Sequence, residues 1–198
     1  SFGGKVLSFE TGRMAKQADG SVVVRYGDTM VLVTACGSTT KKPDQDFFPL
    51  SCEYQERSYA GGKIPGGYFK REGKQTEKET LVSRLIDRPI RPLFPEGYLN
   101  EVQVVATVLS ADKVNNSDML AMNGASAAVM LSGLPFLSPV ATARIGEIDG
   151  QFILNPTFEQ IAASSMDVVL SVTNQGIIMI EAGANIVSEE RLAEALEF

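Results

Sequence analysis

Short apolar runs separated by turn residues set the pattern of this chain. Val22–Tyr26 and Met30–Ala35 flank Gly27-Asp28 and predict a β-hairpin with a tight turn. A third strand is expected through Phe48–Tyr54. The glycine-rich stretch Gly61–Gly67 then reads as a loop, and it lacks the Gly-Lys-Ser/Thr ending of a phosphate loop. Helical spacing follows. Thr76 with Glu79 three residues on forms a capping-box pattern that places a helix start near Glu77. Leu81 and Leu85, with Ile86 beside them, are expected on its buried face, and Pro89 is expected to end or kink it at Arg88. After a strand over Val102–Leu109, Asp118 is expected to cap a second helix running to Leu131, with Gly133 as its stop. The small residues Gly124–Ala128 would let that helix lie close on a sheet. Val140–Ile148 and Gln151–Leu154 flank Asp149-Gly150 as another hairpin. Strands Val168–Val172 and Ile177–Ile180 are joined by Asn174-Gln175-Gly176, and a last helix starts from Ser188. Strands mixed with two or three helices predict an α+β fold, a mixed sheet layered with helices, as one domain over residues 1–198 without repeat or boundary.

Composition narrows the chemistry. At 198 residues and 44% hydrophobic content, the chain can bury one sizeable core. Its longest apolar run, Met30–Cys36, is strand-sized, so no membrane span is expected, and the start carries no signal-peptide pattern. The first residue is Ser1 rather than Met, which fits a partial chain. There is no histidine, which excludes Ser-His and Cys-His nucleophile schemes and the usual zinc sites. Cys36 and Cys52 lack any paired spacing and read as two buried, reduced thiols of a cytosolic protein.

Charge is distributed unevenly. The chain has 18 Lys+Arg against 24 Asp+Glu, a formal charge of -6. Yet Lys63–Arg91 is basic, with Lys63, Lys70, Arg71, Lys74, Lys78, Arg84, Arg88 and Arg91 against Glu72, Glu77, Glu79 and Asp87. A positive segment on a negative body suits an anionic ligand that docks at one place. Arg84 and Arg88, one helical turn apart, match the spacing of successive phosphates, and each guanidinium can hold an oxyanion bidentately. Spacing alone leaves a second reading open, in which they complement a helix C-terminus or pair with Glu77, Glu79 or Asp87.

Motif order along the chain carries a family resemblance. Ala18-Asp19-Gly20-Ser21, Gly27-Asp28-Thr29, Phe48-Pro49-Leu50, Ile64–Gly73, Ser83–Tyr98, Asn123–Ala127, Gly133-Leu134-Pro135 and Leu154–Thr157 together resemble the first ribonuclease-PH-type core domain of polynucleotide phosphorylases. The match runs nearly the full length and is densest over Arg84–Pro95. It implies a ribonuclease-PH-like fold (ribosomal protein S5 domain 2-like). It also implies a parent enzyme that removes nucleotides from RNA 3′ ends with inorganic phosphate as co-substrate and Mg²⁺ as cofactor, releasing nucleoside diphosphates in mRNA degradation. Such parents form a homotrimeric ring with a second ribonuclease-PH-like domain, act in the cytoplasm on single-stranded RNA, and associate with RNA-degradation complex components.

In this family the second domain holds the catalytic centre, and the resemblance tests whether this chain keeps its parts. The phosphate-binding serine run matches Asn116-Ser117-Asp118, where a carboxylate would repel phosphate. One metal-holding aspartate matches Asp167, while the other matches Ile161 and the nearby lysine matches Val169. Asp167 is expected to have apolar neighbours and a local structural role, since magnesium needs several oxygen ligands. The resemblance therefore implies no catalytic residue and no metal site within this domain. It implies RNA contact at Phe69, Lys70 and Arg71, an aromatic-plus-basic loop lining the central aperture, and at Arg84, Arg88 and Arg91. Two alternatives stand beside it: a self-sufficient phosphorolytic enzyme, and a purely structural ring-assembly module without RNA contacts.

Overall fold

The computed structural model describes residues 2–198. Among these, five strands form one sheet in the order β1-β2-β3-β5-β4: β1 (Leu7–Thr11), β2 (Gly20–Tyr26), β3 (Thr29–Gly37), β4 (Leu50–Glu56) and β5 (Val102–Ser110). Four more form a second sheet in the order β7-β6-β8-β9: β6 (Ala141–Ile148), β7 (Gln151–Leu154), β8 (Met166–Thr173) and β9 (Gly176–Ala184). All neighbours are antiparallel except β4 and β5, which run parallel because helix α1 (Glu77–Ile90) makes the crossover between them. Helix α2 (Ser117–Leu131) touches both sheets, and α3 (Phe158–Ala163) and α4 (Glu189–Glu197) lie in the second half.

The expected α+β layering holds, as do the two hairpins and most boundaries. Gly27 at φ +63° turns β2 into β3, and Asp149-Gly150, both at positive φ, turn β6 into β7. Strand β4 begins at Leu50 rather than Phe48, because Phe48 instead packs its ring against Phe94 and Tyr98. The small residues of α2 act as expected: a Cβ on Gly124 would stand 2.6 Å from Val33 Cγ2 and 2.8 Å from Val24 Cγ2. That close approach places Leu120, Met122, Ala125, Ala128 and Val129 over β2, β3 and β5 in the larger core, which also takes Val140, Val169 and Met179 from the second half.

Four local expectations need correction. The buried stripe of α1 is Val82, Ile86, Pro89 and Ile90, whereas Leu81 is 52% exposed and Leu85 only partly covered. Pro89 does not end the helix at Arg88, since α1 runs to Ile90 and tightens into a 3-10 turn over Arg91–Leu93. Asn116, not Asp118, is the N-cap of α2, and it makes no side-chain cap bond. Cys36 is exposed, and only Cys52 is partly buried, with burial pushing its thiol pKa up.

The start of α1 is the best-defined local device. Thr76 Oγ1 accepts from Glu79 N at 3.2 Å, and Glu79 Oε2 accepts from Thr76 N at 2.7 Å. Its other oxygen accepts from Glu56 N at 2.7 Å, tying the helix to the end of β4. Burial pushes the Glu79 carboxyl up, but the bonds from Thr76 and Glu56 and the charge of Arg57 carry it below the ordinary range. Stability from Glu79 is therefore present above the unfolded pKa of a glutamate and lost as pH falls through the lowered folded value. Thr76→Ala is expected to cost about 1 kcal/mol in urea unfolding, and Glu79→Ala more, because Glu56 N is then left without its partner.

Candidate nucleic-acid interface

Gly66–Lys74 forms an irregular connection entering α1, and its tip carries the predicted aromatic and basic residues. Tyr68 and Phe69 are 94% and 72% exposed, with their rings edge-to-face at 5.4 Å between centroids. The Arg71 guanidinium lies over the Phe69 ring at 4.9 Å. Lys70 sits at φ +52°, a left-handed kink that fixes where the tip turns. At the base of the segment, Glu72 accepts from Ser58 N at 2.8 Å. Among the described residues, Lys70 and Arg71 have no ion-pair partner. The arrangement is a ring flanked by two exposed cations, able to stack a base and meet a phosphate.

The α1 arginines differ from one another. Arg84, Asp87, Arg88, Arg91 and Pro92 line one open surface depression. Arg84 is exposed and has no ion pair among the described residues. Arg88 projects beside it but is held by Glu181 of β9. Arg91 is occupied within the fold: its guanidinium pairs with Asp87 and donates to the carbonyls of Phe48 and Leu50 at 3.0 and 3.1 Å. These bonds to Asp87, against the opposing effect of burial, raise its pKa. The structure therefore groups the three arginines on one face and, among the described residues, leaves Arg84 alone of the three without a carboxylate partner.

Sequence spacing gave no sign of Arg144. From β6 it reaches Asp118 Oδ2 at 2.9 Å and Asp167 Oδ1 at 2.9 Å, joining the start of α2 to β8. Its side chain is 13% exposed, and those of Asp118 and Asp167 are 5% and 38% exposed. Asp167 thus faces a guanidinium and a second carboxylate rather than the apolar neighbours expected. Burial, with the Asp118 charge, raises its pKa despite the opposing attraction of Arg144. Neither Arg144 Nε nor Asp167 Oδ1 completes a well-aligned hydrogen bond, so this contact is ionic rather than directional.

These residues do not fit a divalent cation. Position 161 is isoleucine, position 169 is valine, and Asp118 and Asp167 already share Arg144. Among the described residues no three Asp, Glu, Cys or His side chains converge on one point.

Comparison with known proteins accords with the folding pattern. Residues 4–135 match the family described as 3′ exoribonuclease family, domain 1, and residues 138–198 match 3′ exoribonuclease family, domain 2. A polyribonucleotide nucleotidyltransferase of Granulibacter bethesdensis is 58% identical over 196 residues, 99% of this chain and 27% of that protein. The one from Geobacter sulfurreducens is 54% identical over 197 residues, 100% of this chain and 28% of that protein. The chain thus spans little more than a quarter of these relatives. Among solved structures, an Archaeoglobus fulgidus exosome with RNA bound to the active site superposes with a TM-score of 0.74 at 17% identity, over 100% of this chain and 84% of that one. Rice (Oryza sativa) Rrp46 gives the same TM-score and identity over 100% and 87%. At that identity the likeness establishes the ribonuclease-PH fold.

Proposed function

Because the chain belongs to the 3′ exoribonuclease family, we propose that it is the N-terminal, non-catalytic ribonuclease-PH-like domain of a polyribonucleotide nucleotidyltransferase, with residues 1–198 acting as one unit. The parent would degrade RNA from its 3′ end with inorganic phosphate, in the cytoplasm, as a homotrimeric ring. Phosphate and Mg²⁺ would work at the second ribonuclease-PH-like domain, and RNA-degradation proteins would be its partners. This domain would supply ring surfaces and guide single-stranded RNA.

The observation that carries the non-catalytic reading is the Asp118–Arg144–Asp167 contact. Positions that resemblance assigns to phosphate and metal chemistry are bound to one another through an internal guanidinium. A phosphate entering there would meet the Asp118 carboxylate, and a cation would have to displace Arg144. RNA guidance rests on Phe69, Lys70 and Arg71, where stacking tolerates any base and the cations follow the backbone. Arg84 extends that surface. Arg88 joins it by exchanging Glu181 for a phosphate. Arg91, held by Asp87 and two carbonyls, shapes the face rather than gripping the strand.

Asp167→Asn in the full-length protein tests the assignment. Phosphate-dependent release of nucleoside diphosphate from a 3′-labelled RNA is expected to stay at the wild-type rate. Loss of that release, with folding and assembly intact, would place catalysis in this domain and sink the proposal.

A further inference from the structure

Packing does little to hold the aromatic and basic loop tip. Residues 66–71 are exposed throughout, and a Cβ built on Gly66, Gly67 or Gly73 would meet nothing within 4 Å. Hydrogen bonds to the body of the fold are sparse as well. On the way in, Lys63 N donates to Ser58 O at 2.9 Å; on the way out, Glu79 accepts from Glu56 N at 2.7 Å. Between these points, among the described residues, Glu72 alone reaches the body of the fold. Its Oε1 accepts from Ser58 N at 2.8 Å and its Oε2 from Ser58 Oγ at 3.3 Å.

Ser58 is itself anchored. It opens the 3-10 turn Ser58–Gly61, in which the Ala60 carbonyl accepts from Ala111 N at 3.0 Å, just past β5. Glu72 is half-buried against it, while Arg71, Gly73 and Lys74 on either side are exposed. With Lys70, Arg71 and Lys74 so near in sequence, a surface ion pair would be the ordinary outcome for this carboxylate. Among the described residues it forms none. It turns inward to a backbone N–H instead, a charge-assisted bond of the stronger kind.

We propose that Glu72 is a positioning residue for RNA. Its carboxylate clamps the loop to Ser58, so Phe69, Lys70 and Arg71 meet the strand in one preset arrangement rather than being ordered on contact. This role rests on the guiding function proposed above and names the residue that sets the pose of the guide.

Charge and positioning predict opposite signs for the same variant. A carboxylate that merely repels phosphate would, once removed, leave RNA bound more tightly. Loss of a clamp weakens binding. In the full-length protein, Glu72→Ala is therefore expected to lower affinity for a labelled single-stranded RNA, read by fluorescence anisotropy, about three- to tenfold. Glu72→Gln keeps an acceptor oxygen for Ser58 N and should bind at least as well as wild type. Ser58→Pro removes the N–H and leaves the carboxylate in place; Arg57, at φ -77° and ψ 140°, already has the extended geometry that precedes proline. It should weaken binding as Glu72→Ala does, and the two together should lose no more than either alone. Hydrogen exchange over residues 66–74 should quicken in Glu72→Ala and Ser58→Pro but not in Glu72→Gln, with melting temperatures unchanged. Affinity that holds or rises in Glu72→Ala, while Lys70→Glu/Arg71→Glu still weakens binding, overturns the clamp and leaves the guiding role standing. RNA binding indifferent to Lys70→Glu/Arg71→Glu overturns both.

Discussion

Arg144→Met is expected to lower stability by about 3 kcal/mol, the lower end of the cost of breaking a buried ion pair. For a chain of this size that corresponds to a fall in Tm of roughly 10 °C. The magnitude rests mainly on Asp118, whose side chain is 5% exposed and would lose its guanidinium partner. It is not left entirely bare, because it sits in the first turn of α2 and accepts from Met119 N at 2.7 Å. Asp167, 38% exposed, regains water and adds less. Arg144→Lys should recover only part of the loss, since one ammonium group cannot meet both carboxylates with the planar fork. Asp118→Asn combined with Arg144→Met should recover more, because no unpaired buried charge remains.

The same network predicts opposite behaviour for Asp167. Burial raises its pKa, so the folded state favours the protonated acid relative to the unfolded chain. Its ionised form is thus a liability at neutral pH that fades as pH falls through the raised folded value. Asp167→Asn should leave stability at pH 7 unchanged or improved, while Arg144→Met lowers it. Thermal melts of the variants from pH 4 to 8 check the pattern. An Arg144→Met protein as stable as wild type would mean that the three side chains do not act as one network.

Local signals were readable where they are completed within a few residues. The Thr76–Glu79 capping box, the Ser188 cap and the Asp149-Gly150 turn each need only near neighbours, and each formed. The second box, Thr157 with Gln160, is equally local and marks α3, which was not among the expected elements. The phase of α1 was ambiguous, since Leu81/Leu85 and Val82/Ile86 share the same four-residue spacing. Pro89 and Ile90 extend the second stripe, and that longer stripe packs inward. Arg144 and Arg88 were illegible for a different reason: their partners lie at positions 118, 167 and 181, brought close only by sheet pairing and helix docking. The Arg91 bonds to the carbonyls of Phe48 and Leu50 belong to the same class.

At the loop tip, Lys70→Glu/Arg71→Glu in the full-length protein is expected to weaken single-stranded RNA binding and flatten its salt dependence. Each phosphate that is no longer neutralised should reduce the slope of log K against log salt by about 0.7, so two cations account for roughly 1.4. Phe69→Ala should act through stacking instead, costing about 1–3 kcal/mol, or roughly 5- to 150-fold in affinity, with a smaller change in slope. The two effects are not independent, because Arg71 rests on the Phe69 ring at 4.9 Å. Removing the ring frees the guanidinium, so the double variant Phe69→Ala/Arg71→Glu should lose less than the two single losses together. Arg91→Ala provides the contrast. Its bonds point into the fold, so it should lower Tm and leave the salt slope near that of the wild type. Should Arg91→Ala flatten the slope while the Lys70 and Arg71 reversals leave it unchanged, the strand would run along the α1 face, and the exposed ring would serve assembly instead.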